Sequence, residues 1–152
     1  MITTRHATLA DLPVLLEFEQ GIILAERPMD PTLKPDPISY YDVGAMIADE
    51  EIAVMVAVDG DLIVGSGYAK AKASDHYVEP AVHCFLGFMF VRDAYRGQGI
   101  NGLVTEALLT WARERGFTEV RLRVYDDNEG AIRAYEKVGF KRHLVEMRRK
   151  VQ

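Results

Sequence analysis

The chain has 152 residues, a length typical of one domain, so we expect residues 1–152 to form a single domain. Its 49% hydrophobic and 27% charged residues exclude a disordered or collagen-like chain. The net charge of −5 argues against a general nucleic-acid-binding protein, because such proteins neutralise phosphates with a basic surface. No apolar run approaches the roughly 20 residues of a membrane helix, and the N-terminus lacks a signal-peptide pattern. We therefore expect a cytoplasmic protein that binds neither nucleic acid nor membrane.

A short strand, two helices and a β-hairpin are predicted in the first half of the chain. Thr8 and Asp11 have the three-residue spacing of a capping box, and Ser39 with Asp42 repeats it. The prolines between Arg27 and Pro37 cannot continue a helix and predict an exposed connector, which often borders a binding site. The predicted elements are a strand over Ile2–Ala7, a helix from Leu12 onward, a second helix toward Asp49, and strands over Ile52–Val58 and Leu62–Ala69 joined by the turn Asp59-Gly60.

The second half of the chain predicts strands that alternate with helices. Val104, Leu108 and Trp111 fall on one face of an amphipathic helix, and Gly116 is a typical end for it. The predicted elements are a strand over Ala81–Val91, a helix over Asn101–Arg115, a strand over Val120–Val124, a helix capped by Asn128 and ended by Gly139, and a strand over Leu144–Val151. The order βααβββαβαβ predicts an α/β fold, a mixed sheet with helices on its faces.

The segment between the strand Ala81–Val91 and the next helix carries the most informative motif. Its glycines, Gly97, Gly99 and Gly102, allow a tight turn and leave backbone N–H groups uncovered. The helix start adds unpaired donors and the positive end of the helix dipole. Arg96 adds a full positive charge beside them. Together these features predict a site for a pyrophosphate.

Two other interpretations of this segment stay open at this point. A glycine-rich turn before a helix also occurs in proteins that bind no ligand there. In addition, Gly97-x-Gly99-x-x-Gly102 matches the G-x-G-x-x-G fingerprint of dinucleotide-binding domains, and Asp126 could mimic the ribose-binding acid. Against that match, five residues separate Val91 from the first glycine, whereas in the fingerprint the strand runs almost directly into it.

Two blocks of the sequence resemble the GNAT family of N-acetyltransferases. The first, Arg96-Gly97-Gln98-Gly99-Ile100, fits the family motif Arg/Gln-x-x-Gly-x-Gly/Ala between the fourth strand and the third helix, although Asn101 stands where the family has Gly or Ala. The second, from Asn128 to Phe140, matches the family's Asn and Tyr at Asn128 and Tyr135. The element order is similar to the whole family fold, a mostly antiparallel sheet with helices on both faces.

The resemblance implies acetyl-CoA as cosubstrate. Its pyrophosphate would lie on the glycine-rich turn, where Asn101 would either crowd the phosphates or hydrogen-bond to them. Its pantetheine arm would pair with the end of the preceding strand, and the N–H near Phe90 would polarise the thioester carbonyl. The residues implied in cofactor binding are Met89, Phe90, Val91, Arg96, Gly97, Gln98, Gly99, Ile100, Asn101, Gly102 and Asn128.

The resemblance also implies the reaction, in which an amine attacks the thioester directly and a thiolate leaves. Tyr135 is the candidate acid for that thiolate, whereas without the resemblance it would simply pack on its helix. The chain would then be an N-acetyltransferase acting on a primary amine of a small molecule, peptide or protein. The alternative is a non-catalytic acyl-CoA-binding module with the same fold. The sequence leaves open a homodimer and the use of acyl groups other than acetyl.

A general base is also needed, because an alkyl ammonium with a pKa near 10.4 is almost entirely charged at pH 7. The long strand before the turn contains no carboxylate, so His83 and Glu79 are the candidates.

The histidines lack metal-ligand spacing and Cys84 is the one cysteine, so we expect no metal site and a buried, hydrophobic thiol. The acceptor pocket is expected to be shaped by the segments Arg27–Pro37 and Ala73–Pro80.

Overall fold

The computed structural model describes residues 1–152 and contains one five-stranded sheet. The strands lie in sequence order; the first four are antiparallel to their neighbours and the fifth is parallel to the fourth. The predicted mixed, mostly antiparallel sheet is therefore confirmed. The strands are β1 (Ile2–His6), β2 (Ala53–Asp59), β3 (Leu62–Ala73), β4 (Val82–Val91) and β5 (Val120–Leu122), and the helices are α1 (Leu12–Glu26), α2 (Val43–Ala48), α3 (Ile100–Glu114) and α4 (Glu129–Lys137).

Helices cover both faces of the sheet and divide the core into two layers. The buried side of α3 packs on one face, around Val104 and Leu108. The helices α1 and α2 pack on the other face, around Leu15 and Val43. Because β2 runs between the two layers, all of its residues except the last are buried. This position explains why the sequence of β2 is a continuous apolar run instead of an alternating one.

The helices begin at the predicted capping signals, with one change. The N–H of Thr8 donates to the Asp11 carboxylate at 2.8 Å, as in a capping box. The cap of α2 is Asp42, which accepts the N–H three residues further on, and Ser39 lies outside the helix. Asn128 caps α4 in the same way, as predicted. None of the four helices is both long and apolar enough to span a bilayer.

A β-bulge interrupts β4 at Phe88, which has a φ of 59°. The register shifts there by one residue, so that Gly67 of β3 faces both Phe88 and Met89. A Cβ at Gly67 would lie 2.6 Å from Met89 Sδ, and glycine allows this close approach. The ladder between β4 and β5 ends before the bulge, at Leu86 and Leu122. The last part of β4 is therefore paired on one edge only.

The prediction of a strand over Leu144–Val151 is wrong, because no helix or strand follows α4. Residues 141–152 are exposed throughout. A strand forms only where a neighbour takes its ladder hydrogen bonds, and β5 spans three residues, fewer than the predicted Val120–Val124. The terminal segment instead contacts the loop after α1, where Arg148 Nη2 lies 3.3 Å from Asp30 Oδ1.

Candidate functional site

The turn between β4 and α3 presents a row of unpaired backbone donors. Residues 97–102 contribute six consecutive N–H groups, and none of them donates to any group of the protein. The first bond of the helix runs from Leu103 N–H to Gly99 O, at 3.1 Å. Gly97 and Gly99 both have a φ of 77°, in the left-handed region that favours glycine. We call residues 96–102 the cradle; its donors and the helix dipole suit an anion such as pyrophosphate.

Two side chains that precede the cradle fix it to the rest of the fold. Arg92 Nε donates to Ile63 O at 2.6 Å, and the guanidinium lies 5.1 Å from the centre of the Phe18 ring. The hydroxyl of Tyr95 donates to Asp59 Oδ2 at 2.7 Å. Sequence reasoning missed both residues, because their hydrogen-bond partners lie 29 and 36 residues away and no local pattern indicates them.

Arg96 supplies the positive charge of the cradle. Its Nη2 lies 3.1 Å from Asp93 Oδ1, and its Nε donates to Val91 O at 3.3 Å. Both charged side chains are exposed, and an exposed ion pair of this kind contributes roughly 1 kcal/mol or less. Arg96 can therefore exchange Asp93 for a bound phosphate at little cost.

The last part of β4 offers a free backbone edge next to the cradle. From Gly87 to Val91 the strand pairs with β3 only, since its ladder with β5 ends at Leu86. Phe90 is held from the side of α1: its ring centre lies 4.6 Å from that of Phe18, and a Cβ at Gly21 would come within 2.7 Å of the Phe90 ring. An extended ligand arm can add along this edge in the manner of a short strand.

Tyr135 lies on α4 with its hydroxyl uncommitted. Its half-buried ring meets Phe140 edge to face, with the ring centres 5.9 Å apart, and no group of the protein hydrogen-bonds its hydroxyl. Burial raises the pKa of Tyr135 to about 12, and the negative charge of Glu26 adds to the effect. The phenol is therefore protonated at any physiological pH and is free to donate a hydrogen bond.

Two tyrosines and two carboxylates meet near Tyr135. The hydroxyl of Tyr40 donates to Glu26 Oε1 at 2.8 Å, and that of Tyr125 donates to Asp30 Oδ2 at 2.7 Å. Burial, together with the neighbouring carboxylate, raises the pKa of each tyrosine, and that of Tyr125 reaches about 12. We call Glu26, Asp30, Tyr40 and Tyr125 the tyrosine–carboxylate cluster.

A buried carboxylate anchors the residues that follow the proline-rich connector. Glu19 Oε2 accepts the N–H groups of Tyr40 and Tyr41, both at 2.8 Å. Arg27 Nη2 also pairs with Asp36 across the connector, at 2.6 Å. Glu19 thus fixes the backbone that follows the connector to the middle of α1, and the Arg27–Asp36 pair joins the two ends of the connector, Arg27–Pro37.

Comparison with known proteins decides which family this is. A profile described as the acetyltransferase (GNAT) family matches residues 22–140. The chain belongs to the GNAT acetyltransferase family. N-alpha-acetyltransferase 30 of Schizosaccharomyces pombe is 33% identical to it over 108 residues, which cover 71% of this chain and 70% of that protein. Other curated relatives match over a smaller share of their length, and two mycothiol acetyltransferases match over 31% and 30% of theirs.

Solved structures agree with the GNAT fold. The BH1408 protein of Bacillus halodurans, solved as a mutant, superposes with a TM-score of 0.85 at 19% identity over 98% of this chain and 99% of that one. A predicted acetyltransferase from Clostridium acetobutylicum, solved with acetyl-CoA, superposes with a TM-score of 0.70 at 16% identity over 97% and 96% of the two chains. The protein is thus an acetyltransferase with acetyl-CoA as its cosubstrate, as predicted.

The structure places both candidate bases at the opposite end of β4 from Phe90 and the cradle. His83 lies seven residues before Phe90, about 20 Å along an extended strand. Its Nδ1 is within 2.8 Å of Ser74 Oγ, and burial lowers the pKa of the imidazole. Glu79 is in the connection between β3 and β4, at that same end, so the predicted acceptor segment Ala73–Pro80 is also remote from the cradle.

Replacing His83 with alanine should lower the unfolding temperature and leave the pH dependence of acetyl transfer unchanged. The ring is buried and hydrogen-bonded, so its loss should cost about 1–3 kcal/mol of unfolding free energy. The measurements are thermal unfolding and a pH–rate profile, with the exposed His76→Ala as control. If the acidic side of the pH–rate profile changes in His83→Ala and not in His76→Ala, His83 is supported as the base.

The remaining reactive side chains form no further centre. Cys84 is fully buried, and burial raises the pKa of its thiol to about 11, as expected for a cysteine that acts as a small hydrophobe. No three His, Cys, Asp or Glu side chains are grouped so as to hold a metal ion.

Proposed function

We propose that this protein transfers the acetyl group of acetyl-CoA to a primary amine by direct attack within a ternary complex, and that residues 1–152 form one N-acetyltransferase domain. The observation that carries the proposal is the continuity of two unpaired backbone surfaces. The six free N–H groups of the cradle adjoin the stretch of β4 that β5 leaves unpaired. A phosphate group and the extended arm attached to it fit these two surfaces in that order.

The cradle residues would hold the cofactor through backbone contacts. The pyrophosphate would accept hydrogen bonds from residues 97–102 and an ion pair from Arg96, and the pantetheine arm would run along Met89–Val91. A backbone N–H near Phe90 would polarise the thioester carbonyl, since a fixed donor stabilises the charge that develops on that oxygen. Asn128 would contact the arm as well as capping α4.

Binding both reactants on one surface would supply much of the rate enhancement by proximity. The amine would attack the carbonyl carbon, and the C–S bond would then break with the electron pair leaving on sulfur. Tyr135 would donate a hydrogen bond to that sulfur as its negative charge develops. Its uncommitted hydroxyl and its protonated state at neutral pH support this role.

Release of free CoA against a panel of amines tests the proposal. The panel contains a polyamine, an aminoglycoside, a peptide with a free N-terminus, and the same peptide N-terminally blocked but with one lysine. The free N-terminus is included because one relative is named an N-alpha-acetyltransferase. We expect amine-dependent CoA release and micromolar or tighter acetyl-CoA binding by calorimetry. Binding without release on any amine would favour the non-catalytic acyl-CoA module, and no binding would contradict both.

Asn101 should contribute to acetyl-CoA affinity. The backbone carbonyl of Asn101 accepts a hydrogen bond from the Thr105 hydroxyl at 2.7 Å. The half-buried side-chain amide of Asn101 makes no hydrogen bond within the protein. An amide free to bind phosphate contributes about 0.5–1.5 kcal/mol, so Asn101→Gly should weaken binding roughly 3–10-fold by calorimetry. Asn101→Ala serves as control, since it removes the amide without the helix penalty of glycine. Tighter binding in both variants would mean that the side chain crowds the phosphates.

A further inference from the structure

Two carboxylates at the C-terminal end of α1 have opposite environments. Asp30 is saturated: its Oδ1 accepts the N–H and hydroxyl of Thr32 and faces Arg148, and its Oδ2 accepts the Tyr125 hydroxyl. These donors hold the pKa of Asp30 well below its usual range. These hydrogen bonds therefore favour the ionised form of Asp30, which organises the loop.

Glu26 lies near Asp30, and one of its two carboxylate oxygens has no hydrogen-bond partner. Its Oε1 accepts the Tyr40 hydroxyl at 2.8 Å, and its Oε2 accepts no hydrogen bond from the protein and forms no ion pair. The side chain is half-buried, so one oxygen is hydrogen-bonded while the other remains available to a ligand. Burial raises the pKa of Glu26, the charge of Asp30 raises it further, and the Tyr40 hydrogen bond opposes both.

Glu26 lies at the end of the sheet where β4 and β5 separate. Earlier on the same helix, Gly21 touches the Phe90 ring on β4. One turn after Glu26, the Asp30 carboxylate accepts the hydroxyl of Tyr125, three residues beyond the end of β5. The charge of Glu26 is also close enough to raise the pKa of Tyr135, the candidate acid on α4. An amine between Glu26 and Tyr135 would therefore have a proton acceptor on one side and a proton donor on the other.

We propose that Glu26 is the general base that removes the proton from the acceptor amine, an assignment that rests on the proposed function. The Glu26 carboxylate takes one N–H proton from the ammonium, and the freed nitrogen lone pair forms the N–C bond at the thioester carbonyl. The C–S bond breaks and the thiolate leaves with its electron pair. The nitrogen then loses a second proton and becomes the neutral amide. The thiolate takes up one proton, delivered through Tyr135 or water, and leaves as CoA. This arrangement also selects acceptors that bind as cations.

The pH dependence follows from the groups that face Glu26. They come from the loop after α1, from the residues after the connector, from the loop after β5 and from α4: Asp30, Tyr40, Tyr41, Tyr125 and Tyr135. Arg148 of the terminal segment contacts Asp30. The raised pKa values of the tyrosines keep them protonated, and the lowered pKa of Asp30 keeps it ionised. Because burial raises the pKa of Glu26 above its ordinary value, kcat/KM should fall as pH decreases through that raised pKa.

Glu26→Gln tests the assignment with the best amine of the panel, at saturating acetyl-CoA. Glutamine keeps the oxygen that accepts the Tyr40 hydroxyl and removes only basicity. We expect kcat/KM at pH 7 to fall about 10²–10⁴-fold, as for the loss of a general base, and to recover partly above pH 9, where free amine is abundant. Glu17→Gln is the matched control, since Glu17 is an exposed carboxylate on the same helix with no ion pair. Equal profiles for Glu26→Gln and wild type would overturn the proposal.

Tyr40→Phe provides a readout that a structural role would not move. Its hydroxyl stabilises the charged form of Glu26, so its removal should raise the pKa of Glu26 and shift the acidic limb of kcat/KM to higher pH. A merely structural hydroxyl would lower the rate equally at all pH values. A limb that stays in place, or moves to lower pH, would contradict the assignment of that limb to Glu26.

A titration without turnover separates this proposal from the proposed function. In the acetyl-CoA-bound protein, the Glu26 carboxyl carbon is assigned by its loss in Glu26→Gln and followed by NMR against pH. We expect a pKa above the ordinary glutamate value of about 4.3. An ordinary or lower value would overturn the base assignment even if amines are acetylated. A raised value with no amine acetylated would contradict the proposed N-acetyl transfer and leave Glu26 as a proton acceptor for another acceptor class, such as a thiol.

Discussion

Replacing Gly99 with valine should abolish detectable acetyl-CoA binding. Gly99 is the N-cap of α3 with a φ of 77°, a conformation that a β-branched residue adopts only with strain. No atom lies within 4 Å of a Cβ built there, so the valine side chain would enter open space at the turn where the phosphate is proposed to lie. Strain that turns these donors away and bulk that blocks the phosphate act in the same direction. Calorimetry with acetyl-CoA measures the effect.

The other end of the same helix offers a matched control. Gly116 follows α3 with a φ of 84° and, like Gly99, has no atom within 4 Å of a built Cβ. Gly116→Val therefore carries the same kind of backbone strain about 20 Å from the cradle. Both variants should lose similar unfolding free energy, and only Gly99→Val should lose affinity. Unchanged affinity in Gly99→Val, or equal loss in both variants, would contradict the assignment of the phosphate site.

The cradle could be predicted from the sequence because its physical causes are local. Glycines with positive φ, a helix start and an adjacent arginine all lie within residues 96–102, so a short motif contains the backbone donors and the positive charge of the cradle. The same holds for Asn128, whose side chain caps the helix that it begins. The hairpin at Gly60 is equally local, with a φ of 61° in the turn. Elements of this kind need no knowledge of the tertiary structure.

The general base could not be predicted in this way, because Glu26 gains its properties from distant partners. Tyr40 is 14 residues away, and the neighbouring Asp30 is fixed by Tyr125 at a separation of 95 residues. A search of the central strands finds His83 in β4 and Glu79 just before it, whereas Glu26 lies at the end of a helix. A signal was present: Glu26 directly precedes the proline-rich connector that was expected to border the site.

The predicted C-terminal strand failed for a related reason. Residues from Leu144 to Val151 carry enough apolar side chains for a strand, yet pairing depends on an available neighbour, and β5 is three residues long. Arg148 reaches back to the Asp30 side of the tyrosine–carboxylate cluster instead. A local sequence pattern reports a preference for extended backbone, and only the tertiary structure decides what that backbone pairs with.

Replacing Tyr135 with phenylalanine should lower turnover about 10²–10⁴-fold and leave acetyl-CoA affinity almost unchanged. The exchange preserves the ring that packs against Phe140 and removes a hydroxyl that no group of the protein holds. With a pKa of about 12, the phenol is a weaker acid than a thiol, whose ordinary pKa is about 8.5. Full proton transfer to the leaving thiolate is therefore uphill, and the rate effect comes from a hydrogen bond that strengthens as charge develops on sulfur.

The pH profile and a second tyrosine make this prediction specific to Tyr135. Because its pKa is about 12, the phenol stays protonated from pH 6 to 10, and wild-type kcat should show no alkaline decrease from this group. Tyr125 has a similarly raised pKa, but its hydroxyl is committed to Asp30. Tyr125→Phe should therefore reduce turnover by less than about tenfold, within the usual effect of one lost hydrogen bond. Full activity in Tyr135→Phe, or a larger loss in Tyr125→Phe, would remove Tyr135 from the chemistry and leave it as a packing residue of α4.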